Sequence, residues 1–141
     1  VIYEMLENGI SMLLRENEIP AGRFLQVSGL CYSYRQPTDD TAARLLAVTL
    51  PDGTPLDPKA WYTLAINDYM AGSSGYLDNN GDGFTMLNLF SDDLPKAAGL
   101  RLIDNTGATY SDAMKAYFAR RLDRPIAAKL EGRIKVVSEG E

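Results

Sequence analysis

Gly22-Arg23-Phe24-Leu25-Gln26-Val27-Ser28-Gly29-Leu30-Cys31-Tyr32-Ser33-Tyr34 is the stretch on which the fold is decided. Its aromatic and β-branched residues suit a pleated, half-buried surface. Phe24 to Val27 and Leu30 to Tyr34 therefore read as two short strands joined at Ser28-Gly29, although Cys31 to Tyr34 alternate poorly. Downstream, Arg44 to Leu50 reads as a third strand, with Leu45-Leu46-Ala47-Val48 apolar enough to be covered on both faces. Pro51-Asp52-Gly53-Thr54-Pro55 then forms a turn, since proline presets φ and glycine accepts positive φ. Trp61 to Ile66 repeats the strand chemistry, Leu100 to Ile103 offers a short strand, and Arg133 to Val137 reads as the closing one.

Helices flank these strands. Ile2, Leu6, Ile10, Leu13 and Leu14 recur at helical spacing, which predicts an amphipathic helix over residues 2–15. Gly9 inside it costs about 1 kcal/mol relative to Ala. No capping side chain precedes Ile2, so the domain is expected to be truncated at its N-terminus. Ser111 is placed to cap a second helix running to about Leu122, with Met114, Tyr117, Phe118 and Leu122 on its buried side. The order of elements predicts one α+β domain over residues 1–141, with a mixed β-sheet and flanking helices.

Composition removes several kinds of chemistry. Fourteen Lys+Arg stand against 19 Asp+Glu, a formal charge of −5, which disfavours a nucleic acid polymer as partner. Arg120, Arg121 and Arg124 cluster where cations suit a helix C-terminus. No apolar run approaches the roughly 20 residues of a membrane span. The chain has no histidine and one cysteine. That excludes Ser-His-Asp and Cys-His nucleophilic machinery within it, and also His-ligated zinc. Cys31 reads as a small buried hydrophobe. The pairs Asp39-Asp40 and Asp92-Asp93 read as solvated charge, and Phe24 and Phe84 as core.

Asp78-Asn79-Asn80-Gly81-Asp82-Gly83 satisfies the first half of a calcium-binding EF-hand loop. Positions nine and twelve are Met86 and Leu89, and the bidentate glutamate is missing. A tight turn is the simpler reading, and a non-catalytic ligand- or calcium-binding module the alternative function.

Motif order across nearly the whole length resembles the C-terminal domain of the 5′-nucleotidase family, which includes UDP-sugar hydrolases and 2′,3′-cyclic nucleotide phosphodiesterases. The resemblance runs through Leu6-Glu7-Asn8-Gly9, Gly22 to Leu30, Pro55-Leu56-Asp57-Pro58 and Asn67-Asp68-Tyr69-Met70-Ala71. It continues in Gly81-Asp82-Gly83-Phe84-Thr85-Met86-Leu87, Ser111-Asp112-Ala113 and Glu131-Gly132-Arg133-Ile134. It implies a division of labour. An N-terminal metallophosphoesterase domain of the same protein holds two divalent metal ions and hydrolyses the ester. The C-terminal domain binds the nucleotide or nucleoside and presents the phosphate after a domain rotation. This chain by itself is then expected to be inactive, to contain no catalytic residue and to bind no metal. The compartment implied is periplasmic or extracellular.

Carried over by position, the base-stacking aromatic falls on Tyr69, and the acceptor of the ribose hydroxyls on Asp82. Gly81 and Gly83 would admit the sugar close to the backbone. Family members link the alanine matching Ala71 to the Gly-Asp-Gly turn more directly than the Gly72 to Asn80 stretch does here. Aligning backward from that turn puts Tyr76, rather than Tyr69, at the stacking position. Tyr69 is preferred because it follows the Trp61 segment at the family's spacing. For either tyrosine the bland reading is a ring packed on the core with a wet hydroxyl. Arg23 and Arg35 could meet a phosphate, but surface ion pairing is the more ordinary fate of such residues.

Overall fold

The computed structural model describes residues 1–13, 22–72, 80–91, 93, 96–121 and 127–138. It divides into two compact units, one of residues 1–100 with 132–141 and one of residues 101–131.

In the larger unit a three-stranded mixed sheet has the order β2-β1-β3. Its strands are β1 (Cys31–Arg35), β2 (Arg44–Thr49) and β3 (Ile134–Val137). β2 runs antiparallel to β1, and β3 parallel to it. Side chains of β1 alternate cleanly: Tyr32 and Tyr34 are buried, while Cys31, Ser33 and Arg35 lie on the other face, half-buried. The aromatic spacing, illegible as a pattern of apolar and polar types, resolves once both tyrosines count as core residues. Burial pushes the Tyr32 phenol up to about 12, with the neighbouring Tyr34 adding to the effect.

Helix α1 (Ile2–Ile10) covers the inner face of the sheet. Leu6 and Ile10 join Tyr32, Tyr34, Val48 and Leu56 in one core. Next to Leu6 in sequence, Met5 enters a second cluster with Phe84 and Leu87. The helix thus ties the sheet to the segment around Phe84. It ends earlier than its apolar spacing suggests, because the Ser11 hydroxyl and N–H both donate to the Asn8 carbonyl, at 2.8 and 3.2 Å. Leu14 and Arg15 lie outside the described residues.

Three strand readings differ from the structure. Phe24 to Val27 forms no ladder. Its carbonyls are met by side chains instead: the Tyr32 hydroxyl donates to Leu25 O at 3.0 Å, and the Arg133 guanidinium donates to Val27 O. Trp61 to Ile66 forms no described strand, and Trp61 is 78% exposed. Leu100 to Ile103 likewise forms no described strand. β2 is covered on one face only. A register shift opposite Ser33/Tyr34 leaves Leu46 out of the pairing and 40% exposed, as a bulge on an edge strand does. The 51–55 turn forms as its residues dictate, with Leu50 N–H donating to Thr54 O at 2.8 Å and Gly53 at φ +88°.

The smaller unit contains α3 (Tyr110–Ala119), numbered after a single helical turn, α2 (Asn80–Gly83), in the larger unit. Thr109 caps α3 in place of Ser111. Its hydroxyl accepts from Asp112 N–H at 3.1 Å, and the Asp112 carboxylate accepts from Thr109 N–H at 3.1 Å. Three residues beyond Ser111 stands Met114, which cannot complete such a box. None of the helix is buried, so Met114, Tyr117 and Phe118 do not form the covered face that their spacing suggests. Leu122 lies outside the described residues. Arg121 stacks 4.5 Å above the Tyr117 ring.

Candidate functional site

The second apolar cluster carries two chain segments on its rim. The first is the turn at 67–71. Asn67 Oδ1 accepts from Met70 N–H at 2.7 Å, and Asn67 O accepts from Ala71 N–H at 3.3 Å. This local closure is the usual work of an asparagine at a turn. It buries Ala71, packs Met70 on the cluster and leaves Tyr69 37% exposed. The second segment is α2 with the residues after it. Phe84, 1% exposed, anchors it beside Met5 and Leu87. Leu89 N–H donates to Ala71 O at 2.9 Å, so the two segments are also joined through the backbone.

Asp82 sits at the end of α2 with φ +59°, the one described non-glycine residue with positive φ. Aspartate tolerates this region better than most residues, at a cost of about 1 kcal/mol. Its backbone carbonyl accepts from Asn8 Nδ2 at 3.1 Å, a bond across 74 residues that fastens the turn to α1. A Cβ on Gly22 would stand 3.7 Å from Asp82 Oδ2. Among the described residues, no ion pair or hydrogen bond occupies that carboxylate. Gly83 follows with φ +81°, and its missing side chain leaves room that Asn8 Oδ1 and Arg23 Nη1 border at 3.6 and 3.7 Å. Gly81 belongs to α2.

The geometry therefore brings Tyr69 and Asp82 onto segments that share one anchoring cluster, with neither residue buried. Tyr76, Asp78 and Asn79 lie outside the described residues. Phe84 is core, as read from the sequence, and Phe24 packs edge-on against Tyr34, with ring centres 6.0 Å apart. Neither Arg23 nor Arg35 has a carboxylate partner within 4.0 Å among the described residues, contrary to the ion-pair reading. Sequence reasoning passed over Asn8 as a site neighbour. Its signal was the Asn8-Gly9 pair, since a glycine within a helix marks a place where another segment comes close. No group of three or more Cys, Asp or Glu among the described residues is placed to hold a metal ion.

Comparison with known proteins accounts for this architecture. Residues 1–89 match the family model described as 5′-nucleotidase, C-terminal domain. A solved structure, the 5′-nucleotidase precursor from Thermus thermophilus, superimposes with a TM-score of 0.68 at 35% identity, covering 96% of this chain and 23% of that one. The cell wall protein Lmo0130 of Listeria monocytogenes is 34% identical over 119 residues, 84% of this chain and 13% of that protein. The chain thus spans less than a quarter of either relative. With the family model covering more than half of its residues, the chain belongs to the 5′-nucleotidase C-terminal domain family.

Proposed function

We propose that this chain is the nucleotide-holding part of a metal-dependent 5′-nucleotidase-type phosphoesterase, which hydrolyses nucleotides to nucleosides and phosphate. The observation that carries the reading is the placement of Tyr69, 37% exposed, and Asp82, whose carboxylate has no hydrogen bond or ion pair among the described residues, on segments that share one anchoring cluster. A tyrosine ring can stack on a nucleobase, and such a stack contributes roughly 1–3 kcal/mol. A carboxylate accepts from the ribose hydroxyls more strongly than a neutral acceptor would. Tyr69 is the base platform in this reading, Asp82 is the sugar acceptor, and Gly81 and Gly83 keep the approach open.

The chain has no histidine, and among the described residues no group of three or more Cys, Asp or Glu is placed to hold a metal ion. In this reading hydrolysis belongs to a separate metallophosphoesterase domain of the same protein, which membership of the 5′-nucleotidase C-terminal domain family supports. A periplasmic or extracellular setting is supported by one relative being a cell wall protein and the other a precursor. No described helix is long and apolar enough to cross a membrane.

The test is direct. Purified chain is incubated with AMP and Mg²⁺, Mn²⁺ or Zn²⁺, and phosphate release is measured alongside adenosine affinity. No turnover is expected, while Tyr69→Ala should weaken adenosine binding by roughly 5- to 150-fold. Metal-dependent turnover by the chain itself would refute this division of roles.

A further inference from the structure

We infer that Asn8 is a positioning residue for Asp82, setting the discrimination for ribose hydroxyls from the far side of the turn. The inference rests on the reading of Asp82 as the sugar acceptor. Asn8 is itself fixed in three ways. Its backbone lies in the last turn of α1, and its carbonyl takes both the N–H and the hydroxyl of Ser11. Its neighbour Gly9 is buried, with the Arg23–Leu25 backbone so close that a Cβ would stand 3.3 Å from Arg23 O. From this fixed point Nδ2 donates to Asp82 O at 3.1 Å, and Oδ1 borders Gly83.

The carbonyl so held belongs to the residue whose φ is +59°. A non-glycine residue in that region persists only where its surroundings hold it there. Without the Asn8 amide, the Asp82 peptide is free to rotate toward ordinary dihedrals, which swings the carboxylate away from its place over Gly22. The hydrogen bond of the amide goes to the backbone of Asp82 and not to Tyr69, so its loss should act on the direction of the carboxylate and leave base stacking at Tyr69 intact.

Adenosine and 2′,3′-dideoxyadenosine separate these effects, because only the former offers hydroxyls to Asp82. Affinities for both are measured in the protein and in two variants, Asn8→Leu and Asn8→Asp, with melting temperature as a check on folding. Asn8→Asp nearly preserves shape while removing the N–H donor, so it serves if the leucine variant does not fold. The unsubstituted protein should prefer adenosine about tenfold, as a charged acceptor implies. Both variants should lose most of that preference while binding dideoxyadenosine within twofold of the original value. Retention of the preference would overturn the positioning role, and so would equal weakening toward both ligands, the mark of a merely structural residue. Absence of any preference in the unsubstituted protein would instead sink the reading of Asp82 itself, and this inference with it.

Discussion

Gly9→Ala places two opposing effects in one substitution. Within a helix the change is worth about 1 kcal/mol of stabilisation through backbone propensity. Against it stands the contact with residues 23–25. A Cβ at Gly9 would lie 3.2 Å from Leu25 Cγ, 3.3 Å from Arg23 O and 3.5 Å from Leu25 N. Carbon atoms in contact prefer roughly 3.5–4.0 Å, so the neighbours must retreat by a few tenths of an ångström. Two of the three are backbone atoms in a segment whose Leu25 carbonyl is held by the Tyr32 hydroxyl. Overpacking of this kind costs about 1–3 kcal/mol, leaving a net loss of about 1 kcal/mol. Trp61, the one tryptophan of the chain, is already 78% exposed, so unfolding in urea is followed by far-ultraviolet circular dichroism. With a slope of about 2 kcal/mol per molar urea, the midpoint should fall by roughly 0.5 M. A midpoint raised by that amount would mean that propensity wins and that α1 does not meet the 23–25 segment so closely.

Two further expectations concern pH. The Tyr32 phenol is pushed up to about 12 from 10.0, so its contribution to stability is complete below pH 10 and is lost as pH rises toward 12. Alkaline unfolding should therefore start later in Tyr32→Phe, which has no phenol to ionise, although that variant loses the bond to Leu25 O and is less stable at neutral pH by about 1 kcal/mol. At the acid end, hydrogen bonds from Thr109 hold the Asp112 carboxyl below its ordinary 3.8. The α3 cap is then intact above that value and weakens as pH falls through the lowered one, which backbone amide shifts of residues 110–113 should record, and which Asp112→Asn should abolish.

Local chemistry wrote much of this fold into the sequence. The apolar stripe of α1, the turn at 51–55 and strands β1, β2 and β3 follow from spacing and residue type. Strand-like composition also occurs at Phe24 to Val27 and Trp61 to Ile66, and there it misleads. Propensity records how a residue suits a pleated surface, but a ladder needs a second strand, and nothing within six residues specifies one. The capping box of α3 was readable from Thr109 and Asp112, yet Ser111 drew the assignment because it fits the N-cap preference by itself. For the site, Tyr69 and Asp82 could be singled out by motif, since turn residues and an aromatic lie close in sequence. The Asn8–Asp82 bond could not, because 74 residues separate its ends and no local pattern encodes such a meeting.

The central claim is that a nucleoside rests on Tyr69 and Asp82, and chemical-shift mapping of the chain titrated with adenosine tests it most directly. Perturbations should concentrate at residues 67–71 and 81–84, with intermolecular contacts from the base protons to the Tyr69 ring and from the ribose protons to the Asp82 region. Saturable binding mapped to other residues, with both of these segments unperturbed, would contradict the account.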